Sequence, residues 1–345
     1  MSHSPNRTSR RRRGVLSLAL VAALAALLAG CGASDDDGGA SAGGGSSSGG
    51  KSFSIGYLTN QSVYFYQEVG DALSAAAAQD GGKVITVNTN NDASAELKDV
   101  QDLISRGVKA IVMGPISPTS SLAGVKQANQ AGIPVICYNT CLSPEDSRAN
   151  VKAYIEADNA DLGSETGRYA ADYIRRELGG RAQVALLNCD EFDICRQRKA
   201  GFKEALRGLD VDFVADQTGY ASDTAAKVTQ DILTAHPDVD AIWTVNDGAT
   251  SGARAAVKAK TGDDRVVVFG TDINPQIAGY LLTSDDILQA TTGQDGRAIG
   301  TRAYAAVRSA MAGDPVTPFT QLVPGSFFSR SDPDAVRQYL ARAKG

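Results

Sequence analysis

Histidine is almost absent from this sequence of 345 residues, which contains only His3 and His236. A zinc site built on histidines or a Ser–His–Asp triad needs more than this number supplies. The glycine-rich phosphate motifs are missing as well: no G-x-G-x-x-G follows the first strand, and G-x-x-x-x-G-K-[ST] occurs nowhere. We therefore expect a protein that holds no metal or cofactor and is not an enzyme.

Basic residues are scarce beyond the N-terminus. The whole chain has a formal net charge of −5, but residues 1–30 contain five arginines and no acidic residue. The remainder carries 29 Lys and Arg against 39 Asp and Glu, a net charge of −10. A body this acidic is unsuited to nucleic acid, because Lys and Arg must neutralise the phosphates. The same scarcity of cations disfavours a strongly anionic ligand.

A hydrophobic run long enough to cross a membrane is also missing. The apolar run of residues 15–29 is interrupted only by Ser17, and it falls short of the ~20 residues that a spanning helix needs. Four consecutive arginines at positions 10–13 precede it. A basic segment followed by a short apolar core is typical of a signal peptide, which we assign to residues 1–30.

Cys31 follows this run directly, in the sequence Leu28-Ala29-Gly30-Cys31. Small residues before a cysteine resemble the lipobox of bacterial lipoproteins, in which that cysteine is lipidated. An ordinary secretory signal followed by a chance cysteine is the alternative. Residues 34–50 read SDDDGGASAGGGSSSGG, a composition that behaves as flexible coil. We expect residues 31–51 to be a lipidated cysteine and tether that holds an extracytoplasmic body at the outer face of the cell membrane.

From Phe53 onward, apolar strand-like runs alternate with stretches of helical periodicity. This alternation predicts parallel β-sheets connected by helices. Nine or more strands exceed one comfortable open sheet, so we expect an α/β protein with two doubly wound lobes. The predicted strands are Phe53–Leu58, Lys83–Val87, Ala110–Met113, Pro134–Tyr138, Gln183–Leu187, Val211–Ala215, Ala241–Val245, Val266–Phe269 and Ile287–Thr291. The predicted helices include Gln67–Ala78, Ala95–Ser105, Ser121–Ala131, Leu162–Glu177, Ala200–Leu206 and Thr224–Ala235.

Ligands of such sheets bind beyond the carboxyl ends of the strands. The loops at these ends, such as Asn188–Arg198 and Thr271–Asn274, contain amides, hydroxyls, carboxylates and, in several cases, aromatic rings. Aromatic faces pack against the C–H groups of sugars, and amides and carboxylates bond to hydroxyls. The loop composition therefore favours a neutral polyhydroxylated ligand.

Three segments carry a resemblance to a known family. The segment 99–135 contains DVQDLISRGVKAIVMGPIS and VKQANQAGIPV, residues 196–202 read RQRKAGF, and residues 235–253 read AHPDVDAIWTVNDGATSGA. They resemble the type I periplasmic binding proteins, in the ribose- and galactose-binding branch of ABC sugar transporters, from Phe53 to about Gly313. The resemblance implies two Rossmann-like lobes, joined by three crossover strands, that close on one small ligand. The implied lobes are 52–156 plus 295–322 and 157–294 plus 323–345.

The resemblance also implies a set of ligand contacts. The position of the family's usual Asp-Arg pair falls on Asn139 and Thr140, which removes a carboxylate and a guanidinium from the N-terminal lobe. Ribose is therefore only one of several admissible ligands, beside deoxy sugars, other pentoses or hexoses, and linear polyols. The contacts that we carry over are Asn60, Gln61, Tyr64, Phe65, Asn139, Thr140, Arg198, Tyr220, Asn246, Asp272 and Gln294. The register of the first four is ambiguous by one residue.

Several of these residues have a simpler explanation. Arg198 is equally suited to a surface ion pair with Glu204 or Asp193, and Asn246 to an N-cap of the helix that follows it. Asp272 suits a cap of the helix after Pro275. Outside the set, Trp243 lies in an apolar strand and is most simply a core residue.

Four cysteines remain in the body of the chain, and an exported protein can oxidise them. Three pairings exist. Local pairing of Cys137 with Cys141 and of Cys189 with Cys195 would shape two loops at opposite rims of the ligand site, which is our hypothesis. Crossed pairing would tie lobe to lobe and hinder opening. Four free thiols or a metal site are the alternative, although neither spacing is usual for structural zinc.

These observations predict a lipoprotein that binds a small neutral sugar or polyol and delivers it to the permease subunits of an ABC importer. We expect a monomer. A receptor of the same fold that signals to a chemoreceptor or a sensor kinase is the alternative. An exported enzyme would need an acid and base pair from carboxylates such as Asp190, Glu191, Asp193, Asp247 and Asp272. A transcriptional repressor would need an N-terminal DNA-binding domain, whereas residues 1–50 read as signal and tether.

Overall fold

The computed structural model describes residues 52–260 and 266–343. The predicted signal peptide, Cys31 and the tether lie outside the described residues. The strands are β1 (Phe53–Thr59), β2 (Gly82–Asn88), β3 (Ala110–Met113), β4 (Val135–Tyr138), β5 (Ala153–Ala157), β6 (Arg181–Asn188), β7 (Asp210–Thr218), β8 (Ala241–Thr244), β9 (Val267–Thr271), β10 (Leu288–Gly293), β11 (Thr320–Val323) and β12 (Ser326–Ser329). The helices are α1 (Tyr64–Gln79), α2 (Ala93–Ser105), α3 (Leu122–Gln130), α4 (Pro144–Asn150), α5 (Asn159–Glu177), α6 (Asp193–Ala205), α7 (Ser222–Ala235), α8 (Asp247–Ala259), α9 (Pro275–Leu281), α10 (Gly296–Ala312) and α11 (Pro333–Arg342).

The described strands form two sheets of six. The first has the order β11-β5-β4-β3-β1-β2, and all its strand pairs are parallel. The second has the order β12-β10-β9-β8-β6-β7 and is parallel except at its edge, where β12 runs antiparallel to β10. We call the part of the chain around the first sheet the N-terminal lobe and the part around the second the C-terminal lobe. Two α/β lobes confirm the predicted fold class.

Three strands were not predicted. β5, β11 and β12 are four or five residues long and expose part of their side chains, so they lack the continuous apolar run that marks a fully buried parallel strand. The antiparallel edge strand β12 also departs from the expectation of wholly parallel sheets. β11 joins the first sheet and β12 the second, although only Pro324 and Gly325 separate them.

Helix α1 begins at Tyr64, three residues before the predicted start. Val63 precedes the helix in an extended conformation and provides no side-chain cap. The sequence therefore lacks the Ser, Thr, Asp or Asn that usually marks the beginning of a helix. This displacement moves two predicted contacts, Tyr64 and Phe65, from a loop into the first helical turn.

Close helix contacts fix the elements that carry the site. A Cβ atom on Gly163 of α5 would lie 1.9 Å from the carbonyl oxygen of Arg198 on α6, and one on Gly201 would lie 2.1 Å from that of Ala160. A Cβ atom on Gly300 of α10 would lie 2.3 Å from a carbonyl oxygen of α1. No side chain larger than hydrogen fits these contacts without movement of the backbone. Each helix is therefore held against its neighbour at a set distance.

The core of the C-terminal lobe contains Trp243, which is fully buried. Its indole stacks on the ring of Phe202 with a centroid distance of 5.3 Å, so its assignment as a core residue is confirmed. Among the described residues, we find no helix long and apolar enough to cross a membrane.

Candidate functional site

Arg198 is the centre of a hydrogen-bond network in the C-terminal lobe. It lies on α6, and only 3% of its surface is exposed. Its Nε donates to Oδ1 of Asn159 over 2.9 Å, and its Nη1 donates to the carbonyl oxygen of Val245 over 3.1 Å. The same Nη1 lies 3.0 Å from Oδ2 of Asp272. A buried guanidinium needs a partner of opposite charge, and Asp272 is that partner.

The surface ion pair considered for Arg198 is therefore wrong. Asp193 pairs with Arg196 on the exposed face of α6, and Glu204 pairs with Arg207, which follows the helix.

Asp272 lies just after β9 and connects two of the predicted contacts. Besides Arg198, it accepts a hydrogen bond at Oδ1 from Nε2 of Gln294 over 3.0 Å. Its φ of 68° is in the left-handed region, which residues other than glycine rarely adopt. The helix cap considered for it is wrong, because Asn274 caps α9 by accepting from the N–H of Ile277. Its carboxylate instead accepts hydrogen bonds from Arg198 and Gln294.

Three predicted contacts have a buried polar atom that finds no hydrogen-bond partner among the described residues. They are Oδ1 of Asn60, Nη2 of Arg198 and Oε1 of Gln294. Nine side-chain atoms of the described residues share this property. Burial of a polar atom without a partner costs about 1–3 kcal/mol, so such atoms are uncommon in proteins. Three of these nine atoms therefore belong to the eleven predicted contacts.

In the N-terminal lobe, Asn60 directly follows β1 and is 6% exposed. Thr140 follows β4 and donates its hydroxyl to the carbonyl oxygen of Pro115 over 2.9 Å. A Cβ atom on Gly114 would lie 3.7 Å from Nδ2 of Asn60 and 3.3 Å from Oγ1 of Thr140. Both predicted contacts therefore lie beside Gly114, at the ends of β1 and β4.

Asn139 lies beside Thr140 with a φ of 59°, and its Nδ2 donates to the hydroxyl oxygen of Tyr66 over 3.4 Å. Burial raises the pKa of Tyr66 to about 12, the hydrogen bond from Asn139 opposes this shift, and the charges of Asp272 and Arg198 also act on it with opposite signs. The hydroxyl of Tyr66 on α1 is therefore joined to the N-terminal contacts through Asn139.

Tyr66 is a residue that the sequence analysis missed. It lies one position beyond the assigned aromatic pair Tyr64 and Phe65. Tyr64 packs edge-on against Tyr339 of α11, with a centroid distance of 6.5 Å. Phe65 packs against Tyr66 and the core of the N-terminal lobe. Of the three aromatic residues that begin α1, Tyr66 is the one whose side chain accepts a hydrogen bond from a predicted contact, Asn139.

Two further predicted contacts lie at the rim. Gln61 is exposed in the loop after β1. Tyr220 is 37% exposed after β7, and its ring meets that of Phe192 edge-on with a centroid distance of 6.2 Å. Neither side chain has a contact with the network around Arg198 that would make it part of the buried site.

Asn246 fills one of the two roles considered for it, that of a helix cap. Its Oδ1 accepts from the N–H of Ala249 over 2.8 Å, which confirms that it caps α8. Next to it, Asp247 accepts at Oδ2 from Nδ2 of Asn274 over 2.8 Å. Burial first, and the carboxylate of Asp272 second, raise the pKa of Asp247 above its ordinary value. Asp247 is therefore grouped with Arg198 and Asp272. Asn159 joins the same group by accepting from Arg198. Neither Asp247 nor Asn159 was predicted as a ligand contact.

The cysteines form the local pairs. Cys137 is joined to Cys141 and Cys189 to Cys195, with a Cα–Cα distance of 5.5 Å in each pair. The crossed pairing and the free thiols are therefore wrong for this structure. Among residues 52–260 and 266–343, no group of three His, Cys, Asp or Glu residues is placed to hold a metal ion. The first bridge encloses Asn139 and Thr140, and the second joins the end of β6 to the first turn of α6.

This arrangement is suited to a neutral polar ligand. The C-terminal lobe offers a guanidinium whose charge Asp272 already compensates, and the N-terminal lobe offers amide and hydroxyl groups. Donors and acceptors of both kinds match hydroxyl groups, which donate and accept at once.

Comparison with known proteins places the chain beside solute-binding proteins. Residues 55–315 match the family described as the periplasmic binding protein domain. The chain is 34% identical over 261 residues to the ABC transporter periplasmic-binding protein YphF of Escherichia coli (strain K12), over 74% of this chain and 79% of YphF. It is 31% identical over 254 residues to the ribose import binding protein RbsB of the same bacterium, over 73% and 82% of the two chains.

A solved structure shares the fold. An ABC transporter solute-binding protein from Mycobacterium smegmatis, with bound glycerol, is 25% identical to this chain and superposes with a TM-score of 0.72. The superposition covers 82% of this chain and 96% of that protein. The similarity therefore includes both lobes.

Proposed function

Because the chain belongs to the type I periplasmic binding proteins of the ribose and galactose branch, we propose that it binds a monosaccharide or a related polyol between its two lobes. In this proposal it releases the ligand to the permease of an ABC importer, and it binds without chemical conversion. Its relatives include proteins named for ribose import and for ABC transport, which does not favour the alternative of a sensory receptor.

The observation that carries the proposal is the set of unpartnered buried atoms on Asn60, Arg198 and Gln294. A sugar hydroxyl bonded to each of them would remove the cost of its burial, and the ligand would join the two lobes. Closure is then favoured because the ligand makes contacts to both lobes that it cannot make in an open form.

The proposed contacts differ in their place in the site. Arg198, Asp272, Gln294, Asn60 and Tyr66 form the centre of the site. Asn139, Thr140 and Asn246 surround it, while Gln61 and Tyr220 cover the rim. Tyr64 and Phe65 support the position of Tyr66 through α1. The lobes that close are those assigned from the sequence, 52–156 plus 295–322 and 157–294 plus 323–345.

The protein would act at the outer face of the cell membrane as a monomer. Its lipid anchor would be Cys31, attached through the tether of residues 31–51. Conversion of Cys31 to Ser is expected to release the protein from the membrane fraction into the medium or the periplasm, which fractionation and immunoblotting measure. A variant that remains in the membrane fraction would contradict this anchor.

A thermal-shift screen tests the ligand proposal. The protein, purified in detergent without reductant, is heated with D-ribose, L-arabinose, D-allose, myo-inositol or glycerol. A ligand at 100 times its dissociation constant adds about 2.7 kcal/mol of stability. This amount raises the melting temperature of a body of this size by several degrees, at ~2–4 °C per kcal/mol. A folded protein that none of these compounds stabilises would count against sugar and polyol binding.

A further inference from the structure

The Cys137–Cys141 disulfide closes a loop of three residues at the end of β4. The chain reverses inside this loop, because the N–H of Thr140 donates to the carbonyl oxygen of Tyr138 over 2.6 Å. Asn139 lies at the point of reversal with a φ of 59°. Few side chains adopt this left-handed conformation, and asparagine is one of those that tolerate it best.

The main chain of Asn139 is held on one side by β5. Its N–H donates to the carbonyl oxygen of Ile155 over 2.9 Å, and its carbonyl oxygen accepts from the hydroxyl of Tyr154 over 2.9 Å. The side chain extends to α1, where its Nδ2 meets the hydroxyl oxygen of Tyr66. With only 9% of its surface exposed, Asn139 is held between β5 and α1 in one conformation.

Asn139, Thr140 and Tyr66 carry no charge. Hydrogen bonds between neutral groups are about half as strong as those that involve an ion. Such contacts add most to affinity when their geometry is set before the ligand arrives, since no side chain or loop must then be ordered on binding. The tight loop fixes the geometry of Asn139 before a ligand arrives.

We propose that the Cys137–Cys141 disulfide is a positioning device of the ligand site, which holds Asn139 in the left-handed conformation that brings its amide to Tyr66. The inference rests on the proposed function and adds that sugar affinity depends on this bridge. A bridge between residues only four apart closes a very small loop, so the entropic stabilisation of the whole fold is small compared with that of a long-range disulfide.

Isothermal titration calorimetry with D-ribose, and with every screen compound that stabilises the wild-type protein, tests the inference through a double-mutant cycle. The first variant is C137A/C141A, and the second is Asn139→Gly, which keeps the left-handed backbone but removes the amide. We expect each to weaken binding about tenfold, equivalent to about 1.4 kcal/mol. In the Asn139→Gly background, loss of the bridge is expected to change affinity less than about twofold, because both changes remove the same contact.

Val125→Ala is the matched control. Val125 on α3 is fully buried and belongs to the same core cluster as Cys137, but it is not part of the loop. Its replacement lowers the stability of the N-terminal lobe and is expected to leave affinity within about twofold of the wild type when measured well below the melting temperature. A loss of affinity in this variant equal to that in C137A/C141A would overturn the inference.

A second measurement does not require C137A/C141A to fold. In C189A/C195A the Cys137–Cys141 pair is the only disulfide left among the described residues. Reduction with dithiothreitol is expected to weaken binding about tenfold, and reoxidation is expected to restore it. Affinity that does not change on reduction overturns the positioning role while the proposed function stands. A wild-type protein that binds no compound of the screen overturns the proposed function and this inference with it.

Discussion

The two lobes contribute unlike halves to the candidate site. The C-terminal half is a charged network in which Arg198, Asp272 and Gln294 bond to one another within one lobe. The N-terminal half is uncharged and consists of Asn60, Tyr66, Asn139 and Thr140. The difference teaches that Asp272 compensates the charge of Arg198 before any ligand is bound. We therefore expect the C-terminal half to provide most of the affinity and the N-terminal half to select among neutral ligands.

Removal of Arg198 is expected to have the largest effect on binding. Arg198→Ala deletes the unpartnered Nη2 and leaves Asp272 without its counter-ion. Hydrogen bonds to charged groups contribute about 1.5–3 kcal/mol each, so we expect affinity to fall about 100-fold or more. Calorimetric titration with the best compound of the screen measures the loss.

Arg196→Ala is the control for this change, because Arg196 lies on the same helix and forms an exposed pair with Asp193. Exposed pairs contribute about 0–1 kcal/mol, so its stability and affinity should remain close to those of the wild type. Equal affinity of both variants would show that the charged half does not dominate binding.

Asp272→Asn is expected to have the next largest effect. Asparagine tolerates the φ of 68° and can still accept from Gln294, but it cannot compensate the charge of Arg198. We expect a loss of affinity of about 10- to 100-fold, since one charge-assisted bond is lost. Asp286→Asn is the matched control, because Asp286 also has a positive φ but an exposed side chain. If both substitutions leave affinity unchanged, Asp272 has only a structural role.

Each half of the site could be predicted from the sequence only in part. Arg198, Asp272 and Gln294 were carried over from the family resemblance, and the structure joins both Arg198 and Gln294 to Asp272 by hydrogen bonds. Tyr66 could not be assigned, because α1 begins after Val63 without a side-chain cap and the register of its first turn is not marked in the sequence. Asn159 was missed because it follows β5, a short strand without a continuous apolar run.

Tyr66→Phe tests which aromatic residue of α1 belongs to the uncharged half. It removes the hydroxyl that accepts from Asn139, and we expect affinity to fall about three- to tenfold through loss of one neutral hydrogen bond. Tyr64→Phe, which changes a hydroxyl next to Tyr339 instead, is expected to change affinity less than about twofold. The opposite order of the two variants in calorimetric titrations would restore the register assigned from the sequence.

Asp247 gives the smallest expected effect, on stability rather than on binding. Burial and the charge of Asp272 raise its pKa in the folded protein, so its ionised form destabilises the fold. This penalty is complete above the raised pKa and disappears as the pH falls below the ordinary value of an aspartate. Relative to the wild type, Asp247→Asn is therefore expected to be more stable at pH 7 than at pH 3.

Urea unfolding at several pH values measures this difference, because the free energy of unfolding is obtained at each pH. Asp238→Asn is a control, since Asp238 is exposed in the turn before β8. The stability of Asp247→Asn relative to the wild type could instead rise as the pH falls. This result would mean that the ionised carboxylate stabilises the fold through Asn274 and the N–H of Gly248, which both donate to it. Both carboxylates of the charged half would then have their own partners: Asp272 would be stabilised by Arg198, and Asp247 by Asn274 and Gly248.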